Sequence, residues 1–494
     1  MKKVNLSPNP VSLIESMRDI GYSLETAISD IIDNSITARA KNISIRFDSN
    51  ASDSWIAIVD DGIGMTEDEL VFAMRLGSQN PLKERSENDL GRFGLGLKTA
   101  SFSQCRRLTV LTQINNVVTC AKWDIDFLAN QTSNEWTMCL LDEQEVENCG
   151  ILLKLRNTYL QNNQSGTIVL WENIDRIIEK NRAHTREQSF NEALANVKNH
   201  LELVFHRYLS PQPGESKISI YFNKSPLEAF DPFNTKSSTE LRSEKFTYEQ
   251  SVIKVQPYIL PHHNKTTKTE WKKYAGNQGY LHGQGFYIYR NRRLIIYATW
   301  FRLIKKEELT KLLRVMVDIP NTLDHLWKID VKKSNAFPPY GVRKELQRII
   351  GKIEFSGKKV YKQRGQRVTE KTIHPAWKRV AKNNQIFYQI NKEHPIIVKY
   401  LEKISENDKE NFENILSMIE TTFPRESFYS DSASIPEEMI GNTMEKKQIE
   451  SMLRIFIGDD KISKTKLNEI LQIEPFASNQ EITKTVIRDF GYEL

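Results

Sequence analysis

Three short segments constrain this chain more than anything else in it. They are Asp30-Ile31-Ile32-Asp33-Asn34, Asp60-Asp61-Gly62-Ile63-Gly64-Met65 and Gly91-Arg92-Phe93-Gly94-Leu95-Gly96-Leu97-Lys98. The first lies where Leu24, Ala27, Ile28, Ile31, Ile32 and Ile36 recur at helical spacing, so it belongs to a helix with its apolar side on a sheet. Asp30 and Asn34 are four residues apart and share one face of that helix. Trp55 to Val59 reads as a buried strand ended by Asp-Asp-Gly. Gly62 and Gly64 let backbone approach a ligand closely. The third segment is a glycine run that opens into a helix. Free backbone N–H groups at such a helix start bind anions. It is neither a dinucleotide fingerprint, since no strand leads into it, nor a G-x-x-x-x-G-K-[ST] loop.

Composition narrows the class. The chain has 494 residues, 39% hydrophobic and 27% charged, as expected of a globular protein of about three domains. No run approaches the ~18 apolar residues of a membrane helix. The N-terminal lysines have no apolar stretch behind them, so no secretory signal is expected. Cys105, Cys120, Cys139 and Cys149 lack C-x-x-C spacing, which points to core thiols in a reducing cytoplasm and not to zinc. The net charge of +6 is unevenly spread. Gly341 to Lys382 holds 13 Lys or Arg against 3 Glu, a local +10.

The order of the segments resembles the GHKL ATPases: DNA gyrase, the ninety-kilodalton heat-shock chaperone, MutL and sensor histidine kinases. The wording "ETAISDIIDNSITARAKNISI", "IAIVDDGIGM" and "GRFGLGLKTAS" is closest to the MORC branch, especially its bacterial (paraMORC) members. The resemblance covers residues 10–340 and is strongest over 24–104. It implies an α/β (α+β) fold: a Bergerat-type ATP-binding sandwich over 1–175, a ribosomal-protein-like transducer domain over 176–340, and a basic, mainly helical region over 341–494. It also implies ATP and Mg²⁺ as ligands. Asn34 matches the Mg²⁺ ligand, a neutral oxygen of the kind magnesium accepts beside waters and phosphates.

Asp30 takes the position of the general base that activates water. The family normally has Glu there. Aspartate is one methylene shorter, and a base must come within about 2.6–3.2 Å of its proton. Asp60 matches the acceptor of the adenine amine, with Gly62, Gly64 and Met65 around the ring. Residues 66–97 match the lid, a charged loop closing over the phosphates. Gly91, Gly94, Gly96, Leu97 and Lys98 match the phosphate loop, with Lys98 a point charge on a phosphate. Thr167, at the start of the apolar run Ile168–Trp171, matches a threonine of the adenine network. We assign Asp33 and Thr37 no role.

Helical spacing continues over Ser189–Leu209. Strands follow at Ile218–Phe222 and in "GFYIYRNRRLIIYATW", with Arg290-Asn291-Arg292-Arg293 at the turn. The resemblance places a γ-phosphate lysine in "LWKIDVKKSNAFPP", with Lys332 and Lys333 the candidates and Lys328 a poorer one. A solvated basic loop is an equal reading. Residues 341–382, with Tyr361 and Trp377 among their cations, suit double-stranded DNA held through its backbone. Ile396–Ile419 reads as a helix interrupted by "SENDKEN", and 440–494 as short helices.

The resemblance therefore implies an ATPase, slow or partner-activated, that works as an ATP-dependent homodimeric clamp or switch on DNA in an anti-phage or restriction-type system with defence-system partners. The alternative is a nucleotide-binding regulatory interaction protein with little hydrolysis. A chaperone is disfavoured by the basic end. A histidine kinase lacks its phosphoacceptor helix here, and topoisomerase or MutL-type nuclease chemistry lacks a recognisable catalytic motif.

Overall fold

The structure is a computed structural model describing residues 8–19, 21–49, 54–77, 96–131, 135–176, 186–276, 279–324, 326–327, 337–353, 374–382, 385–425, 427–428, 444–457 and 464–492. Gly91, Gly94, Lys328, Lys332 and Lys333 lie outside the described residues, as do residues 78–95 of the expected lid and 354–373 of the basic stretch. The chain divides into two units. One comprises residues 1–261, 274–307 and 311–353, the other 262–273, 308–310 and 354–494.

The first unit opens with helices α1 (Pro10–Arg18) and α2 (Leu24–Thr37) and the strand pair β1 (Asn42–Asp48) and β2 (Trp55–Asp60). Next come α3 (Glu67–Met74), α4 (Gly96–Phe102), β3 (Cys105–Ile114), β4 (Val117–Asp124), α5 (Ile125–Ala129) and β5 (Cys139–Leu141). Then follow α6 (Glu143–Asn148), α7 (Gly150–Tyr159), β6 (Gly166–Ile174), α8 (Arg186–Val204), β7 (Ser219–Phe222) and β8 (Ser225–Pro226). The eight strands form one sheet in the order β5-β4-β3-β6-β2-β1-β7-β8. Only β1 and β7 pair in parallel. A parallel pair needs a long crossover, and the path through α8 supplies part of it. The sheet thus takes in strands beyond residue 175.

The unbroken apolar run of β2 follows from cover on both faces. Ile56 and Ile58 pack with Ile28, Ile31 and Ile32 of α2 and with Val197 and Leu201 of α8. Ala57 and Val59, pointing the other way, pack with Val146, Leu152 and Leu155 of α6 and α7. The helix expected over 189–209 is realised as α8 and a further turn, His206–Leu209.

A second sheet follows in the same unit: β9 (Thr239–Glu240), β10 (Glu244–Tyr248), β11 (Ser251–Ile259), β12 (Gly285–Arg290), β13 (Arg293–Thr299) and β14 (Leu313–Ile319). Its order is β10-β11-β14-β12-β13, with β9 against β11. The expected hairpin is β12–β13, turned by Asn291 and Arg292 at φ 45° and 67°. Two successive left-handed residues suit the two-residue hairpin turn. Phe233, Tyr258, Tyr287, Tyr289 and Leu294 form an aromatic core beneath it.

In the second unit, β15 (Trp377–Lys382) pairs with β16 (Gln385–Ile390), a hairpin within an otherwise helical region. The helices run Pro395–Leu401, Glu406–Thr421, Lys446–Ile457, Lys464–Ile470 and Gln480–Asp489. Their core is Ile449, Leu453, Leu467, Ile470, Ile473, Phe476, Val486 and Ile487. The break expected within "SENDKEN" falls just before it. Ser405 caps the second helix by accepting from the Asp408 N–H, and the polar run forms its first turns. Ser, Asp and Asn favour such caps because their side chains satisfy free N–H groups. No helix among the described residues is long and apolar enough to cross a membrane.

Candidate functional site

The middle and the C-terminal turn of α2 carry different chemistry. Asp30, in its middle, is buried, and its Oδ2 accepts from the Tyr22 hydroxyl at 3.1 Å. The Tyr22 carbonyl in turn accepts from Gln104 Nε2 at 3.1 Å, which fixes the residues before the helix. Asn34, one turn on, is exposed. Ser35 points inward, and its hydroxyl donates to Asp60 Oδ2 at 2.7 Å. With a rise of ~1.5 Å per residue, the Ser35–Asp60 contact lies about 7 Å along the helix from Asp30.

Asp60 ends β2. Its other oxygen accepts from the Gly62 N–H at 2.9 Å. Burial raises its carboxyl to about 6, against the pull of the Ser35 and Gly62 bonds. Strand register then sets the rest. Asp60 lies opposite Thr167 on β6, and Thr167 lies opposite Thr112 on β3. The two threonine hydroxyls are 3.4 Å apart. Thr112 Oγ1 accepts from the Met65 N–H at 2.9 Å, which seats Met65 beside the same row. Ser35 and Thr112 are functional candidates that sequence reading missed. A polar residue on the apolar side of α2, two positions before the helix end, was the available signal for Ser35.

The glycines here have little room. A Cβ on Gly62 would come within 2.9 Å of Ala38 and of the Asp60 carboxylate. Gly64 sits at φ +70°, and a Cβ there would stand 2.0 Å from the Gln113 carbonyl oxygen. Asp61, which completes the Asp-Asp-Gly, is structural: Oδ1 accepts from the Lys41 and Asn42 N–H groups at 2.7 and 2.8 Å.

Residues 67–74 of the expected lid form α3, a helix started by a reciprocal Thr66–Glu69 capping box. Its last turn is pinned from below. The Ala73 carbonyl accepts from Lys98 Nζ at 2.8 Å and the Met74 carbonyl from Trp123 Nε1 at 3.1 Å. Burial lowers Lys98 to about 8. Its ammonium therefore ties α4 to α3. Leu97 is half-buried, and Gly96 faces the base position: a Cβ on it would stand 3.7 Å from Asp30 Oδ2. The start of α4 and the Asp30 carboxylate are thus neighbours.

Asp33 is the second surprise of α2. It is buried, and its Oδ1 accepts from Arg293 Nε of β13 at 2.7 Å. Among the described residues no group of three or more His, Cys, Asp or Glu could hold a metal. A cation at this site would thus depend on ligand oxygens, with Asn34 a neutral donor from the protein. That donor set suits magnesium carried in by phosphates.

The Asp60–Ser35–Thr112–Thr167 row and the Asp30 carboxylate at the start of α4 thus lie at one helix-covered sheet. Residues 22–167 match the family of histidine kinase-, DNA gyrase B- and HSP90-like ATPases. This part of the chain is similar to the ATP-binding domains of that GHKL family. Its similarity is MORC-like: over 94 residues it is 29% identical to a protein named ATPase morc-1 from Caenorhabditis elegans. That match spans 19% of this chain and 11% of the length of the worm protein.

Proposed function

We propose that the chain binds Mg-ATP in the α2–β2–α4 site and hydrolyses it slowly, acting as a nucleotide-gated switch. The observation that carries this is the arrangement along α2. One helix holds the buried Asp30 beside Gly96 and, through Ser35, the Asp60 carboxylate. Asp60 would accept the adenine amine, and Thr167 and Thr112 would complete its network. Asn34 would ligate Mg²⁺, which supplies charge neutralisation at the phosphates. Gly96 and Leu97, with Gly91 and Gly94, would line the phosphates. Asp30 would take the proton of the attacking water. Lys332 or Lys333, which follow the second sheet in sequence, would reach the γ-phosphate, with that sheet read as part of a transducer domain.

Slow turnover has its own support. The Asp30 side chain is short, and Tyr22 already donates to it. A misplacement of about 1 Å can cost on the order of 100-fold in rate. The reading with little intrinsic hydrolysis is therefore the second one we keep.

Double-stranded DNA is the proposed partner, on the charge of residues 341–382 alone. Three of the described cations there pair within the protein, Arg348 and Lys352 with Glu244 at 2.8 Å and Lys378 with Glu393, so the proposal draws on the charge of the stretch as a whole. An ATP-dependent homodimer would let such a switch close on DNA. The experiment is steady-state phosphate release with and without double-stranded DNA, for wild type and Asp30→Asn. Turnover that rises with DNA and vanishes in the variant supports the proposal. ATP binding without turnover in either protein selects the low-hydrolysis reading. Absence of ATP binding overturns both. DNA binding whose affinity does not change with salt overturns the backbone-contact assignment.

A further inference from the structure

The Arg290-Asn291-Arg292-Arg293 turn has the composition of an anion site, yet the structure engages all three arginines within the fold. Arg290 is 1% exposed and its Nη1 bonds Asp324 Oδ2 at 2.6 Å. Arg292 lies 4.3 Å over the Tyr208 ring and donates to the Ser216 carbonyl at 3.2 Å. The Tyr208 hydroxyl donates back to the Asn291 carbonyl. Arg293 turns toward α2. Its Nε donates to Asp33, its Nη1 to the Leu294 carbonyl at 3.1 Å, and its guanidinium lies 5.5 Å from the Phe205 ring centre. The left-handed pair at Asn291 and Arg292 lets these successive side chains diverge onto three different elements.

Asp33 directly precedes Asn34 and follows Asp30 by three residues. Neighbouring helix positions differ by about 100° in direction, so Asp33 lies about 60° from Asp30 on one flank and Asn34 about 40° from it on the other. A rotation or slide of α2 moves all three together. The one charged anchor on that helix from outside the first sheet is Arg293 among the described ion pairs.

We infer that Arg293 is a positioning residue for the nucleotide site: its buried pair with Asp33 holds α2 in the register that presents Asn34 to the phosphate-bound cation. The inference rests on the Mg-ATP reading above. The chemistry favours arginine specifically. Lysine is a single point charge on a flexible stem and cannot satisfy Asp33, the Leu294 carbonyl and the Phe205 face at once. The second sheet thereby sets the strength of the cation contact without touching ATP.

The test measures ATP affinity with and without Mg²⁺ in the full chain, using calorimetry and thermal unfolding, for wild type, Arg293→Lys and Asp60→Asn. The expected result is a folded Arg293→Lys protein that binds metal-free ATP as wild type does but loses tenfold or more of the gain from Mg²⁺. A structural role alone would lower the unfolding midpoint and leave that gain intact, which overturns the inference. A wild type with no gain from Mg²⁺ overturns it too. Asp60→Asn reports on the underlying reading. If it leaves ATP binding unchanged, the nucleotide assignment fails. If it abolishes binding while Arg293→Lys matches wild type, only the present inference fails. Should Arg293→Lys not fold, Asp33→Asn with Arg293→Met is read in its place, since replacing both charges of a buried pair is often tolerated. Failure of both to fold makes the pair structural and ends the proposal.

Discussion

Arg293 and Asp33 meet at 2.7 Å across 260 residues of sequence, with side chains 4% and 1% exposed. An ion pair so enclosed is held by its geometry and by the further bonds of the guanidinium. Removing one partner strands the other charge. Arg293→Ala is accordingly expected to lose about 3–5 kcal/mol of stability, whereas neutralising both partners should cost far less. Urea unfolding of the two variants checks this, and equal losses would contradict it.

Gly64 offers a sharper local test. Its φ is +70°, and the Gln113 carbonyl oxygen lies 2.0 Å from where a Cβ would sit, so there is no space for a side chain. Gly64→Ala should destabilise the domain by more than about 2 kcal/mol, from backbone strain and the displaced β3 carbonyl together. It should also weaken ATP binding. Gly77, with nothing within 4 Å of a Cβ among the described residues, is the control for a positive-φ glycine without crowding.

The contrast between Asp30 and Asp33 shows what the sequence could and could not reveal. The apolar stripe from Leu24 to Ile36 and the unbroken run of β2 made the helix-on-sheet layer legible, because both follow from local periodicity. The strand end at Asp60 and the strand start at Thr167 were legible through their motifs, and the structure sets the two residues opposite each other. Asp33 carried no assigned role in the sequence. Its burial depends on Arg293, brought there by a second sheet, and no local pattern encodes such a pairing. Ser35 and Thr112 were hidden for the same reason: each matters through a cross-strand or helix-to-strand contact. The "SENDKEN" run misled because polarity suggested a break, while Ser405 capping made it a helix start.

His206 supplies a stability test. Burial lowers its imidazole to about 4, and its Nε2 shares a 2.7 Å hydrogen bond with the Tyr289 hydroxyl. The unfolded chain takes up this proton near 6.5, the folded one only near 4. Between those values the unfolded state binds more protons, so the contribution is full above about 6.5 and falls as pH drops toward 4. From pH 7 to pH 5 this one group should cost about 2 kcal/mol. His206→Gln should flatten the pH profile of denaturant unfolding by that amount. An unchanged slope would remove His206 as the cause.

Asp60 titrates in a functional sense. In the proposed reading Asp60 accepts the adenine amine, more strongly as a carboxylate than as an acid, and burial puts this carboxyl at about 6. ATP affinity should therefore fall as pH drops through about 6, by up to tenfold per pH unit below it. Asp60→Asn should bind weakly at every pH with that step gone. Calorimetric titrations from pH 5 to 8 would decide. A wild-type affinity flat across that range would mean that Asp60 does not meet the base.

Asp30 tests the chemistry itself. Its carboxylate is buried, accepts from Tyr22, and lies next to Gly96 at the start of α4. Asp30→Asn keeps size and removes the base, so ATP should still bind while turnover falls by roughly 100-fold or more. Asp30→Glu restores the longer arm. If reach limits the native rate, that variant should turn over faster than wild type, by up to about 100-fold for a shift near 1 Å. Tyr22→Phe separates reach from restraint, because it removes the tyrosine donor to Oδ2 without lengthening the side chain. Acceleration in Asp30→Glu alone would assign slow turnover to distance, and acceleration in Tyr22→Phe alone would assign it to the tyrosine bond. If neither is faster, hydrolysis is not limited at this carboxylate, and the closing of the site or a partner sets the rate.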